Sequence, residues 1–450
     1  MPTSLDRRAA RAGTAAIAAI VVAGLTGCAA TSNADTGTTA APAATDDGGG
    51  SGEKVTIKFS WWGSDSRVAS TQAIIDAFEA ENPDIHVEPV STTWDDYFET
   101  MNVMAAGNDT PDVMTQDDRY LTEYASRGLL ADLGSLDVDT SHVDPSVVET
   151  GVIDGNLYGI ATGINVHAVV ANPAAFEAAG VALPDDTTWT WEDYSEIAAQ
   201  VSAGSDGAVT GVQNYSFIEP VLAIYARQHG EELFTPDGAI GVSPQTIESW
   251  FQRSVDQIAA KAEPSASTST EVQGAGVDGS LVATGKGAMA WFWSNQLGAI
   301  EKTAGHPLTL LRAPGDTQFE RTGEYFRAAM YYSISAKSAH PEEAARFVDF
   351  MLNSQTAGDI NLTDRGLPSN LEVREAVLPK LSEADKTSAA FIQALTDDDV
   401  VADSKPVPPK GSGEVSDITG RINSDVIFGK ITPADAATRW IDEVTKAIGR

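Results

Sequence analysis

Residues 54–90 read KVTIKFSWWGSDSRVASTQAIIDAFEAENPDIHVEPV, and the periodicity of that stretch decides the fold class. Val55, Ile57 and Phe59 alternate with Lys54, Thr56 and Lys58, the pattern of a strand with one buried face. Ile74, Ala77 and Phe78 then share a helical stripe that stops at Asn82-Pro83, and Ile85, Val87 and Val90 mark a second strand. Strand, helix and strand in that order predict a parallel sheet with a crossover helix, and so an α/β fold.

Further helices announce themselves downstream. Thr190 is placed to cap a helix with Asp193 in its first turn and Tyr194, Ile197, Ala198 and Val201 on one face. Pro341-Glu342-Glu343 opens another, with Ala344, Phe347, Val348, Met351 and Leu352 as its apolar stripe. Thr432-Pro433-Ala434-Asp435 opens the last, followed by Ala436, Trp440, Val444 and Ile448. Pro264 to Thr270 reads as a polar surface loop, and no internal repeat shows itself.

Upstream of Lys54 the chain reads as an address and a tether. Arg7, Arg8 and Arg11 precede a short apolar run from Thr14 to Leu25, a layout that fits a secretory leader. The run ends in Leu25-Thr26-Gly27-Cys28, which resembles the bacterial lipobox; cleavage would leave a lipid-bearing Cys28 at the new N-terminus. Cys28 is the single cysteine of the chain, so the body is expected to carry no disulfide and no Cys-ligated metal. From there to Gly52, Ala, Thr, Ser, Asp and Gly dominate, too few apolar groups to offset the entropy of ordering. As a coil this tether spans roughly 25–30 Å. The 450-residue chain has a formal charge of −35, and losing the leader makes it two units more negative. An acidic surface of that kind repels nucleic acid and anionic lipid. The remaining residues, about 400, have room for two domains.

Five blocks stand out in order: Ile57 to Gly63; Pro111-Asp112-Val113-Met114; Asp154 to Ile160 with Val170-Ala171-Asn172 and Phe176 to Gly180; Gly285 to Met289 with Trp291 and Trp293; and Ile334 to Ser338 with Arg365-Gly366-Leu367-Pro368. In that order they resemble the extracellular sugar-binding proteins of ABC importers, the family containing maltose-binding protein. The resemblance covers Lys54 to Ile448. It implies a two-lobe periplasmic-binding-protein-like fold with a hinge and an interlobe ligand cleft. Its parts would be a leader at 1–27, lipidated Cys28 and a tether at 28–52, an N-lobe at 53–165 and 324–368, and a C-lobe at 166–323 and 369–450. It implies no catalysis and no cofactor. It implies a monomer, held by lipid on the extracellular face of the bacterial cell membrane, that delivers a carbohydrate, in particular an oligosaccharide, to the importer's membrane permease.

A sugar offers hydroxyls to charged and amide groups, and flat C–H faces to aromatic rings. In open parallel sheets such a site lies beyond the carboxyl ends of the strands. After the first strand this singles out Trp62, Asp65 and Arg67; Trp61 and Trp62 point to opposite faces, so one of them faces the cleft. After the strand that follows Pro111 it singles out Asp117, for which capping the next helix is the competing role. Asn165 lies at the first lobe crossing. Trp293 and Asn295 belong to the densest aromatic and polar cluster, with Trp291 on the same strand face. By the resemblance, Phe326 matches a cleft position after the second crossing. Arg365 precedes a glycine, and there a ligand contact competes with a structural ion pair. Trp189 and Trp191 flank a helix cap and read as a staple. Some family members place a stacking aromatic near the position of Ser416; this chain has none there.

Other functions find less support. Gly274-Ala275-Gly276-Val277-Asp278-Gly279 fits the dinucleotide fingerprint as a string, but it follows a polar stretch rather than a strand. The six histidines form no ligand-like pair, so no metal site is expected. Tyr331-Tyr332 resembles the paired tyrosines of ferric-binding relatives but runs directly into a strand, where packing explains it. A polyamine or amino sugar would use the same Trp and Asp residues through cation–π contacts and carboxylate pairs, and stays open.

Overall fold

The computed structural model describes residues 54–63, 65–319, 322–401 and 408–449; the leader, Cys28 and the tether lie outside them, as do the side chains at 65, 66, 94 and 95. The chain begins with β1 (Val55–Trp62), α1 (Asp65–Glu81), β2 (Ile85–Thr92), α2 (Trp94–Ala106), β3 (Val113–Gln116), α3 (Asp118–Ser126) and α4 (Pro145–Glu149). A small hairpin, β4 (Val152–Ile153) with β5 (Asn156–Leu157), precedes β6 (Ile160–Ala161), β7 (Gly163–Asn165) and β8 (His167–Ala171). Then come α5 (Pro173–Ala179), α6 (Trp191–Gly204), β9 (Thr210–Val212), α7 (Glu219–Gln228), α8 (Pro244–Ala259) and α9 (Ala266–Gly274). They are followed by β10 (Gly287–Trp293), α10 (Leu297–Ala304) and β11 (Thr309–Leu311). The chain returns through β12 (Arg327–Ala328), β13 (Tyr331–Ile334), α11 (Pro341–Asn353), α12 (Gln355–Asn361) and β14 (Leu367–Pro368). It closes with α13 (Leu371–Val377), α14 (Glu383–Asp397), α15 (Val415–Ile427) and α16 (Pro433–Ala447).

Two sheets organise these elements. The first has the order β2-β1-β3-β13-β6 and the second β11-β8-β10-β9. β1 runs parallel to β2, with Val55 opposite Ile85 and Trp62 opposite Thr92, as the crossover helix α1 requires. The core under the first sheet is aromatic: Phe59 stacks on Trp61 at 5.0 Å and meets Phe347 of α11 edge-on at 5.3 Å. The second core gathers Trp189, Trp191, Tyr194, Tyr215, Trp250, Trp291 and Trp440. Trp189 and Trp191 are therefore core residues. Tyr331 and Tyr332 are buried in β13.

A third sheet joins the other two. The chain leaves the first sheet through β7 and returns to it through β12; these pair antiparallel, and β14 pairs on the other side of β7. The hinge is thus a three-stranded ribbon, and close approach within it demands glycine. A Cβ on Gly163 would lie 2.5 Å from the Arg365 carbonyl oxygen, and Gly366 has φ +84°.

The helix starts follow their capping signals. Thr190 Oγ1 accepts from the Asp193 N–H at 3.0 Å while the Thr190 N–H donates to Asp193 at 2.8 Å, a reciprocal capping box. α11 starts at Pro341 and α16 at Pro433. One local expectation fails: Pro264 to Thr270 is no loop, because Ser265 caps α9 from Ala266 onward, its Oγ accepting from the Thr268 N–H. Only Ser269 and Val272 of that helix are buried, so its composition carries almost no apolar stripe to read. The lobe boundary drawn at 368/369 does not coincide with a packing boundary either. Val373 and Val377 of α13 belong to the first core, and α14 contributes Ala389, Ile392 and Leu395 to it while setting Ala384 against the second sheet's edge cluster.

Candidate functional site

Beyond the carboxyl ends of β3 and β10 lies a cavity of about 720 Å³. Its walls come from both sides of the ribbon. The start of α3 supplies Asp118 and Arg119, and β12 supplies Arg327. β8 and β10 supply His167 and Trp293, while Phe217, Ile218, Glu219 and Pro220 come from the turn into α7. Leu233 and Phe234 follow α7, and one face of α15 brings Val415, Ser416, Asp417, Gly420, Arg421 and Ser424. Thr122 Oγ1 on α3 donates to the Pro408 carbonyl at 2.8 Å, so the segment before α15 also touches the first lobe.

A charged floor is built from four residues. Asp117 caps α3, accepting from the Arg119 N–H, and also accepts from Arg119 Nε at 2.7 Å. Arg327 reaches across to Asp118 with two nitrogens, at 2.6 and 2.9 Å, and to Asp117 with one at 3.0 Å. Burial opposes the charge on Arg327, but Asp118 and Asp117 more than offset it and hold its pKa well above the usual guanidinium value. Asp117 feels the opposite balance: burial raises its pKa, and Arg327 and Arg119 lower it only in part. Fork geometry of this sort fixes hydrogen-bond directions as well as charge.

Trp293 stands beside this floor. Period-two geometry puts Trp291 and Trp293 on one face of β10; Trp291 is core at 1% exposure, while Trp293 is half-buried at the cavity. The Arg327 guanidinium lies 5.3 Å from the Trp293 ring centre. His167, directly opposite Trp293 in the β8–β10 register, sets its ring 4.3 Å from that of Trp293. Burial and the charge of Arg327 push the His167 pKa down to about 3, so the imidazole is neutral.

The structure disperses the residues that the sequence singled out. Trp293 lines the large cavity, and Asp117 anchors its floor from below. Asn165 and Asn295 lie instead beside a small space of about 10 Å³ near the ribbon, with Ser294 and Asp385. Trp62 points away from Trp61 but does not face the cavity; it packs at 5.0 Å on Tyr97 and 5.9 Å on Phe98. Arg67 and Arg365 tie the loop at Asp364. Arg67 donates to both the Asp364 carboxylate and its carbonyl, and Arg365 donates to Asn361 and to Thr71 at 2.6 Å. Phe326 packs against the first core. The Asp65 side chain lies outside the described residues, as does Cys28.

Several cavity residues escaped the sequence reading by one position. Asp118 follows Asp117, and Arg327 follows Phe326, because a strand sends successive side chains to opposite faces and a helix start turns each residue by a large angle. The face of α15 carries no motif; Ser416 to Ser424 at helical spacing is the one signal it offers, and any surface helix gives the same.

Two lobes joined by a ribbon, with a polar and aromatic cavity at the strand ends, define the class of proteins that bind a small solute. The chain belongs to the bacterial extracellular solute-binding protein family, whose model matches residues 62–358. It is 25% identical over 330 residues to an uncharacterised lipoprotein of Streptomyces antibioticus, covering 71% of each chain. Among solved structures it is similar to an extracellular solute-binding protein family 1 member of Alicyclobacillus acidocaldarius, at 26% identity and a TM-score of 0.73. That match covers 89% of this chain and all of the other. A periplasmic oligogalacturonide-binding protein of Yersinia enterocolitica shares the fold at 20% identity and a TM-score of 0.73, covering 88% of this chain and all of the other.

Proposed function

We propose that this protein captures an oligosaccharide in the cavity between its lobes and hands it to the membrane permease of an ABC importer. The observation that carries the reading is the union of Trp293 with the Asp117–Asp118–Arg119–Arg327 floor: an aromatic face for a sugar's C–H surface beside forks that fix its hydroxyls. A volume of about 720 Å³ lies within the range of small-ligand sites. The name of the Yersinia neighbour, an oligogalacturonide binder, agrees with a carbohydrate ligand. Within this reading the leader ends at Gly27, Cys28 carries lipid, and the stretch to Gly52 keeps the body at the outer face of the cell membrane, in line with the lipoprotein relative.

The test is a thermal-shift screen of residues 53–450 against mono- and oligosaccharides, polyamines and metal salts. A ligand at a hundred times its Kd adds about 2.7 kcal/mol of stability. Stabilisation by a narrow set of oligosaccharides, without turnover, supports the reading; stabilisation by none of them ends it. A second reading, a cationic ligand such as a polyamine or amino sugar, draws on Glu219 and Asp417. Both face the cavity, and neither makes an ion pair among the described residues. Affinity that falls steeply with added salt selects that reading over a neutral sugar. Anchoring is tested separately: Cys28→Ala moves the protein from the membrane fraction to the medium.

A further inference from the structure

His167 is 3% exposed, yet its ring borders the cavity. Nδ1 is buried without a partner and closed off, while Nε2, which has no hydrogen bond to the protein among the described residues, is the ring nitrogen left to meet the cavity. That is unusual for so buried a polar side chain, since an unmade hydrogen bond leaves its desolvation cost standing. Its surroundings explain why the protein supplies none: Trp293 and Trp291 flank the ring at 4.3 and 6.1 Å, and neither indole closes a hydrogen bond to it. The Trp291 indole N–H is already given to Tyr194. The charged neighbour, Arg327, turns Nε and one terminal nitrogen to Asp117 and Asp118.

We propose that His167 is a specificity-determining contact of this site, an imidazole whose Nε2 is paired by a ligand hydroxyl next to Trp293. The inference rests on the carbohydrate reading above and deepens it. A neutral imidazole presents one donor and one acceptor, and a hydroxyl matches either. A quaternary or fully alkylated group matches neither. A site that leaves a buried polar group unpaired discriminates strongly against ligands lacking the partner. His167 therefore reads the position of one hydroxyl, whereas the Arg and Asp forks read several.

The experiment uses isothermal titration with the tightest binder among maltose, cellobiose, xylobiose, galactobiose and digalacturonate, on wild type, His167→Phe and His167→Gln. His167→Phe is expected to weaken binding roughly tenfold, the worth of one well-placed hydrogen bond, and His167→Gln, which keeps a donor and an acceptor, to recover most of it. Monodeoxy analogues of the same sugar locate the hydroxyl: one of them weakens wild type roughly tenfold and leaves His167→Phe unchanged. A readout independent of variant folding is the His167 imidazole resonance of 15N-histidine-labelled wild type, assigned through His167→Gln, which shifts on saturation with the sugar. If wild type binds a sugar but that resonance stays fixed, or His167→Phe binds it as tightly, His167 is a packing residue and the proposal falls while the function stands. If wild type binds none of the five, the carbohydrate reading fails and takes this inference with it.

Discussion

Trp62 and Trp293 both end a strand, and the residues around them assign them different work. Trp62 is enclosed by Tyr97 and Phe98 at 7% exposure, so Trp62→Ala is expected to cost about 3–5 kcal/mol of stability in denaturant titration, with binding lost only through unfolding. Trp293 faces the cavity, so Trp293→Ala is expected to weaken ligand affinity tenfold or more while the melting temperature without ligand moves by a few degrees at most. An intact Kd in that variant would remove the aromatic half of the site. Arg327 couples the two kinds of role. Arg327→Met leaves Asp117 and Asp118 buried, with Arg119 still paired to Asp117, and the loss expected is about 3–5 kcal/mol as well as binding. From the residues alone, Trp62 and Trp293 were indistinguishable: what separates them is whether a helix crosses over the indole, and α2 covers one of them.

At the scale of elements, α15 is the part of the site with the least support in sequence and the firmest support in structure. Its cavity face is polar, and the flank beside that face inserts Asn423 into a buried network. Asn423 donates to Asn214 at 3.0 Å, and Asn214 donates to Glu263 at 2.6 Å, where Ser254 of α8 also donates at 3.0 Å. Burial raises the Glu263 pKa from 4.5 to about 8, against the hydrogen bonds from Ser254 and Asn214 and the charge of Arg253. In the unfolded chain the carboxyl ionises near its ordinary value, so its contribution to stability is complete below that pH and is lost as pH rises toward 8. Glu263→Gln is therefore expected to melt above wild type at pH 8.5 and no higher than wild type at pH 5. Equal differences at both pH values would mean that Glu263 is ionised throughout. Elements with strong local signals, such as α6, α11, α16 and the β1–α1–β2 unit, were legible through periodicity, backed in α6 and α16 by side-chain caps and in α11 by a first-turn proline. α9 was not, since a helix with two buried residues leaves its trace in a cap alone.

Over the whole molecule, the sequence supported an α/β class and room for two domains, and the family resemblance supplied the lobes, the hinge and the cleft. Neither could supply the ribbon, because β7, β12 and β14 are two or three residues long and meet only after more than 150 residues of intervening chain. Its glycines make it testable. Gly163→Ala places a Cβ 2.5 Å from the Arg365 carbonyl oxygen and 2.7 Å from that of Leu367, backbone that cannot swing aside. A cost of about 1–3 kcal/mol is expected, with a smaller change in scattering radius on ligand addition than in wild type. A variant with unaltered stability and closure would show that the ribbon tolerates separation. In the proposed closure, passages stitched side by side oppose sliding and leave turning as the softer motion. Rotation about a fixed line works as a lever: a misfit of a fraction of an ångström beside the ribbon grows with distance from it and is widest at the outer rims. Whatever meets those rims from outside is presented with a magnified copy of how well the ligand fits.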